Sequence, residues 1–246
     1  MFIVTAIANN ELTEAVLRPV RGHHAFEGCV EQLGTAIRLG VYPHGTTLPP
    51  ERELADRLAV SRATLREAIA ALRTARLVET TRGRGGGTVV KHRPAAPARG
   101  TLVDLGPRRT ELLDTLVFRR VVEPGACHLA SGRELNDQQR ALLTEAHESV
   151  SQASDPAVHR QADSRFHLAI AAVTESPMTI QAVTSVQARL HDMLNAIPVL
   201  DVNIDHSNKQ HRAIVNAVLR GDAARARRVM ENHCDDTASL LRGLLG

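Results

Sequence analysis

Two short helical patterns lie close together at residues 51–58 and 61–72, with only two residues between them. The first, ERELADRL, follows two prolines, and its Glu51 suits the first turn of a helix. The second, SRATLREAIAAL, opens with Ser61, a good N-cap. In both, the apolar residues recur at helical spacing and fall on one face. We therefore predict a helix, a tight turn and a second helix.

The segments on either side complete a known order of elements. Residues 25–39 predict an amphipathic helix, because apolar residues recur at spacings of three and four. Residues 77–90, LVETTRGRGGGTVV, predict a hairpin, because their ends are β-prone and a tip of Gly and Arg lies between them. This order is that of a winged helix-turn-helix, which we assign to residues 21–92, after an N-terminal extension at residues 1–20.

The charge at the start of the second helix favours DNA binding. The second helix of such a motif enters the major groove with its N-terminal residues, which here include Arg62 and Arg66. The planar fork of arginine suits guanine edges and phosphates. For an isolated pair of arginines, solvated surface charge would be the simpler interpretation. The preceding turn, the additional Arg52 and the basic hairpin favour a contact with DNA.

The distribution of charge along the chain agrees with this. Residues 21–93 carry 12 basic and 7 acidic residues, whereas residues 94–246 carry 17 and 18. The positive excess therefore lies in the N-terminal third. This pattern suits a small module that binds a polyanion, joined to a neutral domain.

The stretch LPPERELADRLAVSRATLREAIAALRTARLVETTRGRGGGTVV resembles the DNA-binding domain of the GntR family of bacterial transcription regulators, and the likeness covers about residues 25–90. The LPxERELA start, the VSR turn and the REA helix carry the resemblance. It implies contacts with operator DNA from Arg52, Arg62, Thr64, Arg66, Arg84, Gly85 and Gly86, the last three in the wing.

Cysteine usage and the N-terminus bear on the cellular compartment. The three cysteines are far apart and form no CxxC pair, which is typical of reduced thiols in the cytosol. The first 20 residues lack the basic start of a signal peptide, and no run of about 18 apolar residues occurs. We expect a cytoplasmic protein without membrane association, held at the nucleoid through DNA.

The C-terminal part is predicted to be a second, all-helical domain. A proline-containing linker, residues 93–107, precedes it, and the domain occupies residues 108–246. We predict six helical segments, at about 109–131, 135–152, 156–173, 177–196, 202–220 and 222–244. Pro124 would kink the first or divide it in two. The fold class is therefore mainly α, with an antiparallel bundle of six or seven helices.

Four residues of this bundle could bind a metal. Asp163 and His167 are four residues apart on one helix face, and His211 and His233 follow on later helices. One carboxylate and three imidazoles could close around one divalent cation, with Zn, Ni, Mn and Fe all compatible. An Asp–His pair of this spacing is, however, often only a surface hydrogen bond, and the chain has 12 histidines.

The order of these residues resembles the FCD ligand-binding domain of the FadR branch of the GntR family, over about residues 110–242. Many members bind a metal through an Asp, a His on the same helix and two later His. The resemblance implies this role for Asp163, His167, His211 and His233. It also implies that Arg119 faces the effector and pairs with a carboxylate. In the alternative interpretation, Arg119 pairs with Glu123 and serves only the fold.

Together these features predict a homodimeric transcription regulator that binds a pseudo-palindromic operator. The expected effector is a small organic acid bound at the metal, and the expected sign is repression released by that acid. Two other classes of protein remain open from sequence alone. One is a metal-dependent enzyme with an Asp/His₃ site, and the other is an architectural DNA-binding dimer without an effector.

Overall fold

A computed structural model describes residues 10–20, 24–81, 86–94, 106, 108–194 and 201–245. The chain divides into two compact units between residues 94 and 95. Most of the predicted linker, residues 93–107, lies outside the described residues. Within the part of the chain that is described, none of the helices combines the length and the hydropathy that a membrane span requires.

The first unit consists of short helices and one hairpin. Its elements are α1 (Asn10–Val16), α2 (Ala25–Arg38), α3 (Glu51–Leu58), α4 (Arg62–Thr74), β1 (Val78–Thr81) and β2 (Gly87–Val90). The strands pair antiparallel, with Val78 opposite Val90, and Thr47 adds a single bridge to Val89. The predicted helix-turn-helix and hairpin are confirmed, with bounds that differ by one or two residues.

The turn between α3 and α4 is built by local rules. Ala59 ends α3 in the left-handed conformation, with φ of 54°, and Ser61 caps α4 by accepting a hydrogen bond from the Thr64 backbone N–H at 3.0 Å. The apolar positions of both helices are buried as their spacing predicts: Leu54, Ala55, Leu58, Leu65, Ala68, Ile69 and Leu72. Burial of this one face leaves the other face of α4 exposed to solvent.

The N-terminal extension contains a helix that the sequence did not reveal. Leu12 and Val16 of α1 are buried, and Arg57 of α3 contacts the side chains of Thr13 and Glu14. Val20 donates its backbone N–H to the carbonyl oxygen of Leu58 at 2.7 Å. A helix of seven residues shows too few turns for its periodicity to be recognised. Residues 10–20 therefore belong to the packing of the first unit.

The second unit is a helical bundle. Its described helices are α5 (Arg108–Ser131), α6 (Asp137–Gln152), α7 (Pro156–Ala172), α8 (Pro177–Leu194), α9 (Asp201–Leu219) and α10 (Ala223–Leu245). The six predicted helices are confirmed. Of the two outcomes predicted for Pro124, the division of the helix is wrong, because α5 continues through that residue, and the kink stays a prediction. Proline removes one backbone hydrogen bond, and we attribute the continuity of α5 to the four helices that it contacts, α7, α8, α9 and α10.

Helix α5 lies at the centre of the bundle and contacts α7, α8, α9 and α10. Its first half contributes Leu112 and Leu116 to a core of buried residues that also contains Val186, Leu190, Met193, Ala238 and Leu241. One turn further along α5, the buried face changes from leucine to Arg119 and Glu123. Polar groups so deep in a bundle need partners from the neighbouring helices.

Candidate metal centre and nucleic-acid interface

Three histidines from three helices meet inside the bundle. His167 of α7, His211 of α9 and His233 of α10 are all buried. Each offers a ring nitrogen, and these atoms lie within 4.8 Å of one another. Such a group of imidazoles, far apart in sequence, is brought together only because α7, α9 and α10 all pack on α5.

Asp163 lies beside this histidine cluster, one turn before His167 on α7. Its Oδ1 is 3.4 Å from Nε2 of His211, and its Oδ2 is 3.9 Å from Nε2 of His167. The carboxylate is partly exposed, whereas the rings are not. Asp163 therefore lies where the cluster meets an adjoining cavity.

Neighbouring side chains orient the imidazoles. Nδ1 of His233 is 3.0 Å from Oε1 of Gln210, an amide oxygen that can only accept. His233 must therefore carry its proton on Nδ1, which leaves the lone pair of Nε2 facing the cluster. On the other side, Nδ1 of His167 is 3.1 Å from Oε2 of Glu123. The ring of Phe166 packs on that of His211, with 4.5 Å between centroids.

The electrostatic environment keeps two of the rings neutral. Burial, reinforced by the nearby positive charge of Arg119 and of the other imidazoles, holds the pKa values of His211 and His233 well below the ordinary histidine value. A neutral imidazole with a free lone pair is the form that binds a metal. The chemistry of the donor set, three imidazoles with one carboxylate, therefore fits a divalent cation.

Arg119 and Glu123 form a buried ion pair next to the cluster. Arg119 donates from Nε to Oε2 of Glu123 at 2.8 Å, and Gln187 donates to Oε1 of Glu123 at 2.6 Å. Burial alone would raise the pKa of Glu123, but the charge of Arg119 and contact with His167 outweigh it and hold that pKa low. Burial likewise would lower the pKa of Arg119, and Glu123 reverses the direction. Both groups are therefore charged.

The same guanidinium also contacts the histidines. Nη2 of Arg119 lies 3.2 Å from Nε2 of His167 and 3.1 Å from Nε2 of His233. The two sequence interpretations of Arg119 therefore do not exclude each other, because it pairs with Glu123 and also reaches the cluster. A ring nitrogen has one lone pair, which serves either a hydrogen bond or a metal bond. Arg119 and a cation would compete for these two nitrogens.

A cavity of about 190 Å³ adjoins the cluster. Arg119, Asp163 and His233 contribute to its wall, so one member of the ion pair and one histidine of the cluster border the same space. The remaining wall combines leucines of α8 and α10 with further polar groups of α7 and α9. A concave space of this kind, with apolar side chains and converging polar groups in its wall, is typical of a small-molecule site.

Sequence reasoning did not identify the residues that support this site. Gln210, Gln187 and Phe166 touch His233, Glu123 and His211 respectively. No motif marks them, because each acts through a contact between helices far apart in sequence. Gln210 had one available signal, its position directly before His211.

In the first unit, the arginines proposed to contact DNA are on the surface. Arg52, Arg62 and Arg66 are exposed, at the N-terminal ends of α3 and α4. Arg66 donates from Nε to Glu51 at 2.7 Å. Thr64 is half-buried, and its hydroxyl is 2.8 Å from that of Ser61, so it also takes part in the cap of α4.

The wing is described only in part. Gly86 is exposed and directly precedes β2. Arg84 and Gly85 lie outside the described residues. The three cysteines are free and buried.

Known families match both units. The model described as "Bacterial regulatory proteins, gntR family" matches residues 27–90, and the model described as "FCD domain" matches residues 114–236. An uncharacterized HTH-type transcriptional regulator of Mycobacterium tuberculosis, Rv0494, is 30% identical over 229 residues, which cover 91% of this chain and 92% of that protein. The HTH-type transcriptional repressor NanR of Salmonella schwarzengrund is 27% identical over 244 residues, which cover 92% and 88%.

Solved structures agree in fold. E. coli McbR/YncC superposes with a TM-score of 0.52 at 18% sequence identity, over 92% of this chain and 100% of that chain. The matched families and the relatives are transcription regulators, which excludes the metalloenzyme alternative. The chain belongs to the GntR family of bacterial transcription regulators and is a DNA-binding protein with a C-terminal FCD domain.

Proposed function

We propose that this regulator is a homodimeric repressor that leaves its operator when a small carboxylate binds in the cavity of its C-terminal domain. Residues 21–92 bind DNA, residues 93–107 link the domains, and residues 108–246 bind the effector and dimerise. One observation carries the proposal: three buried imidazoles cluster beside a carboxylate and a buried arginine, and three members of this group, Asp163, His233 and Arg119, border one cavity. This combination suits an anion held next to a cation.

Operator recognition is assigned to the exposed N-terminal end of α4. Arg62 and Arg66 would reach base edges or phosphates in the major groove, with Arg52 and Thr64 beside them. In the wing, Arg84, Gly85 and Gly86 would approach the backbone or the minor groove. The ion pair of Arg66 with Glu51 would yield to DNA at little cost, because both side chains are solvent-accessible.

A divalent cation is assigned to His167, His211, His233 and Asp163, with Zn, Ni, Mn and Fe as the candidates. Burial and low pKa values of His211 and His233 support the assignment, as do the contacts that fix the ring of His233. The cation would supply positive charge and open coordination positions for a carboxylate. Arg119, which borders the same cavity, would pair with that carboxylate.

Dimerisation and repression complete the proposal. A two-fold dimer presents two recognition helices to the halves of a pseudo-palindromic operator. On α5, exposed Val117, Val121 and Leu129 follow one another at a spacing of four or eight residues and form an apolar strip. Such a strip suits burial against a second copy. The similar protein NanR is a transcriptional repressor, which supports the proposed sign of regulation.

The effector can act only through differential affinity. A ligand shifts a conformational equilibrium by as much as it prefers one state over the other. The acid must therefore bind more tightly to an arrangement of the dimer that no longer fits the operator. Release of DNA and binding of the acid are then thermodynamically linked, and each weakens the other.

Elemental analysis of purified protein tests the cation site. His211→Ala should lower the metal content of the protein, because it removes one ligand, while metal-free DNA binding stays within about twofold of the parent. His206→Ala is the matched control: it changes a histidine on the same helix α9 that is exposed and pairs with Asp236. Equal metal in His211→Ala and the parent would show that the site is wrong.

A response to acids separates the proposal from the architectural alternative. A dimer that only binds DNA should contain no metal and should keep its operator affinity in the presence of any small carboxylate. The regulator proposed here should lose operator affinity when the acid is added, and His211→Ala should lose that response.

A further inference from the structure

The cavity continues beyond the histidine cluster along α7. His159 and Arg160 border it and precede Asp163 by one turn of that helix. With a rise of about 1.5 Å per residue, Arg160 lies roughly 10 Å along the helix axis from His167. Polar groups therefore border the cavity at two places, one at the cluster and one about two turns away.

Two polar side chains of the cavity wall, those of His159 and Asn203, have a buried nitrogen without a hydrogen-bond partner among the described residues. His159 is 7% exposed. Its Nε2 is buried, and within the described residues no hydrogen-bond partner reaches it. The side-chain amide nitrogen of Asn203, a residue of α9 that borders the cavity, is also buried and has no hydrogen-bond partner among the described residues. Buried polar atoms without partners are rare, and a missing ligand is one of their common causes.

Arg160 adds positive charge to the same place. Burial lowers its pKa to about 10, and attraction to Asp163 only partly opposes the effect. Desolvation of a cation is costly unless an anion approaches it. The carboxylate of Asp163 attracts Arg160 and also faces His167 and His211. A carboxylate bound in the cavity would add a further attraction to the guanidinium of Arg160.

Size and lining restrict what can bridge the two places. The cavity measures about 190 Å³, and Leu190, Leu194 and Leu240 form part of its wall. A cavity of about 150 Å³ holds one benzene molecule, so by volume this one suits about eight non-hydrogen atoms. The presence of these apolar side chains in the wall favours a ligand that also carries a hydrocarbon segment.

We propose that the effector is a short dicarboxylic acid, with one carboxylate at Arg119 and the histidine cluster and the other at Arg160, His159 and Asn203. The inference rests on the proposed function, because it accepts the cavity as the effector site, and it adds a second recognition point. The second carboxylate would accept hydrogen bonds from the Arg160 guanidinium and from the side chains of His159 and Asn203. A monocarboxylate bound at the histidine cluster would form no hydrogen bonds with these three side chains.

Calorimetry with the zinc-loaded full-length chain tests the second recognition point. The two probes are glutarate and pentanoate, which share a carbon chain but differ by one carboxylate. We expect glutarate to bind at least about tenfold more tightly, as a charge-assisted contact would give. Arg160→Gln should abolish this preference and leave pentanoate unchanged, whereas Arg160→Lys should retain part of it. Arg220→Gln, at an exposed position directly after the end of α9, is the control and should keep the full preference.

The outcomes separate the two proposals. If the parent binds both acids equally, or if Arg160→Gln keeps the full preference for glutarate, the second recognition point is wrong and the effector cavity stands. If neither probe binds the parent, and succinate and adipate also fail, the effector assignment itself is overturned together with this inference. A thermal melt of each variant shows whether it folds. If Arg160→Gln does not fold, the preference for glutarate measured with Arg160→Lys tests the second recognition point.

Discussion

The buried ion pair of Arg119 and Glu123 allows a quantitative prediction. Their side chains are 4% and 1% exposed, and their nitrogen and oxygen atoms are 2.8 Å apart. Glu123→Gln keeps the shape of the side chain but leaves the guanidinium buried without its counter-charge. Removal of one partner from a buried pair costs about 3–5 kcal/mol. That is a large part of the stability of a typical domain, about 5–15 kcal/mol.

The neighbouring residue offers a matched comparison. Arg120 pairs with Asp235 at 2.9 Å, but here the side chains are 38% and 56% exposed. Asp235→Asn makes the same carboxylate-to-amide change at the surface and should cost less than about 1 kcal/mol. In a domain of this size, the loss at Glu123 corresponds to a fall of about 6–20 °C in Tm.

The assay is urea unfolding of chelator-treated protein, followed by circular dichroism. Chelation removes any contribution from bound metal, which would otherwise differ between variants. Combining Glu123→Gln with Arg119→Met should recover most of the loss, because the buried charge is then gone. Equal stabilities of Glu123→Gln and Asp235→Asn would refute the prediction, because the pair of Arg119 and Glu123 could then not be as buried as it is in the structure.

Three further predictions concern DNA, metal and assembly. Arg62→Ala should reduce the free energy of operator binding by about 1–3 kcal/mol if Arg62 contacts a base. Arg73→Ala, at the other end of α4, should leave the operator affinity unchanged within error. A gel shift at fixed salt concentration measures both. Arg119→Gln should bind zinc more tightly than the parent in a competitive chelator titration, because the variant lacks the guanidinium that competes for two imidazole nitrogens. Weaker zinc binding by the variant would contradict that competition. Val121→Glu, at a side chain 69% exposed, should weaken the dimer in analytical ultracentrifugation, and Met178→Glu, 73% exposed on α8, should not.

Local sequence rules predicted most of the secondary structure. The spacing of Leu54, Leu58 and Leu65 and the cap at Ser61 are properties of neighbouring residues, and the helix-turn-helix followed from them. The continuity of α5 through Pro124 did not, because it depends on helices packed around it. Helix α1 was missed for the opposite reason, since seven residues show almost no periodicity.

The site was predictable only in part. The Asp163–His167 spacing and the later histidines suggested a cluster, and the structure brings these side chains close together. The contacts of Arg119 with His167 and His233 span 48 and 114 residues of sequence. No spacing rule reaches that far, so the possible competition between Arg119 and a cation became visible only in the folded chain. The same holds for the oxygen of Gln210, which fixes the proton of His233.

The central claim is that binding of an acid in the C-terminal cavity controls the affinity of the protein for operator DNA. Its direct test uses a duplex selected from random sequence by the purified full-length chain, at one fixed salt concentration. Operator affinity is measured with zinc-loaded and chelator-treated protein, each with and without glutarate. We predict that glutarate weakens operator binding at least about fivefold in the zinc-loaded protein and has no effect on it after chelation. Superimposable binding curves under all four conditions would contradict it.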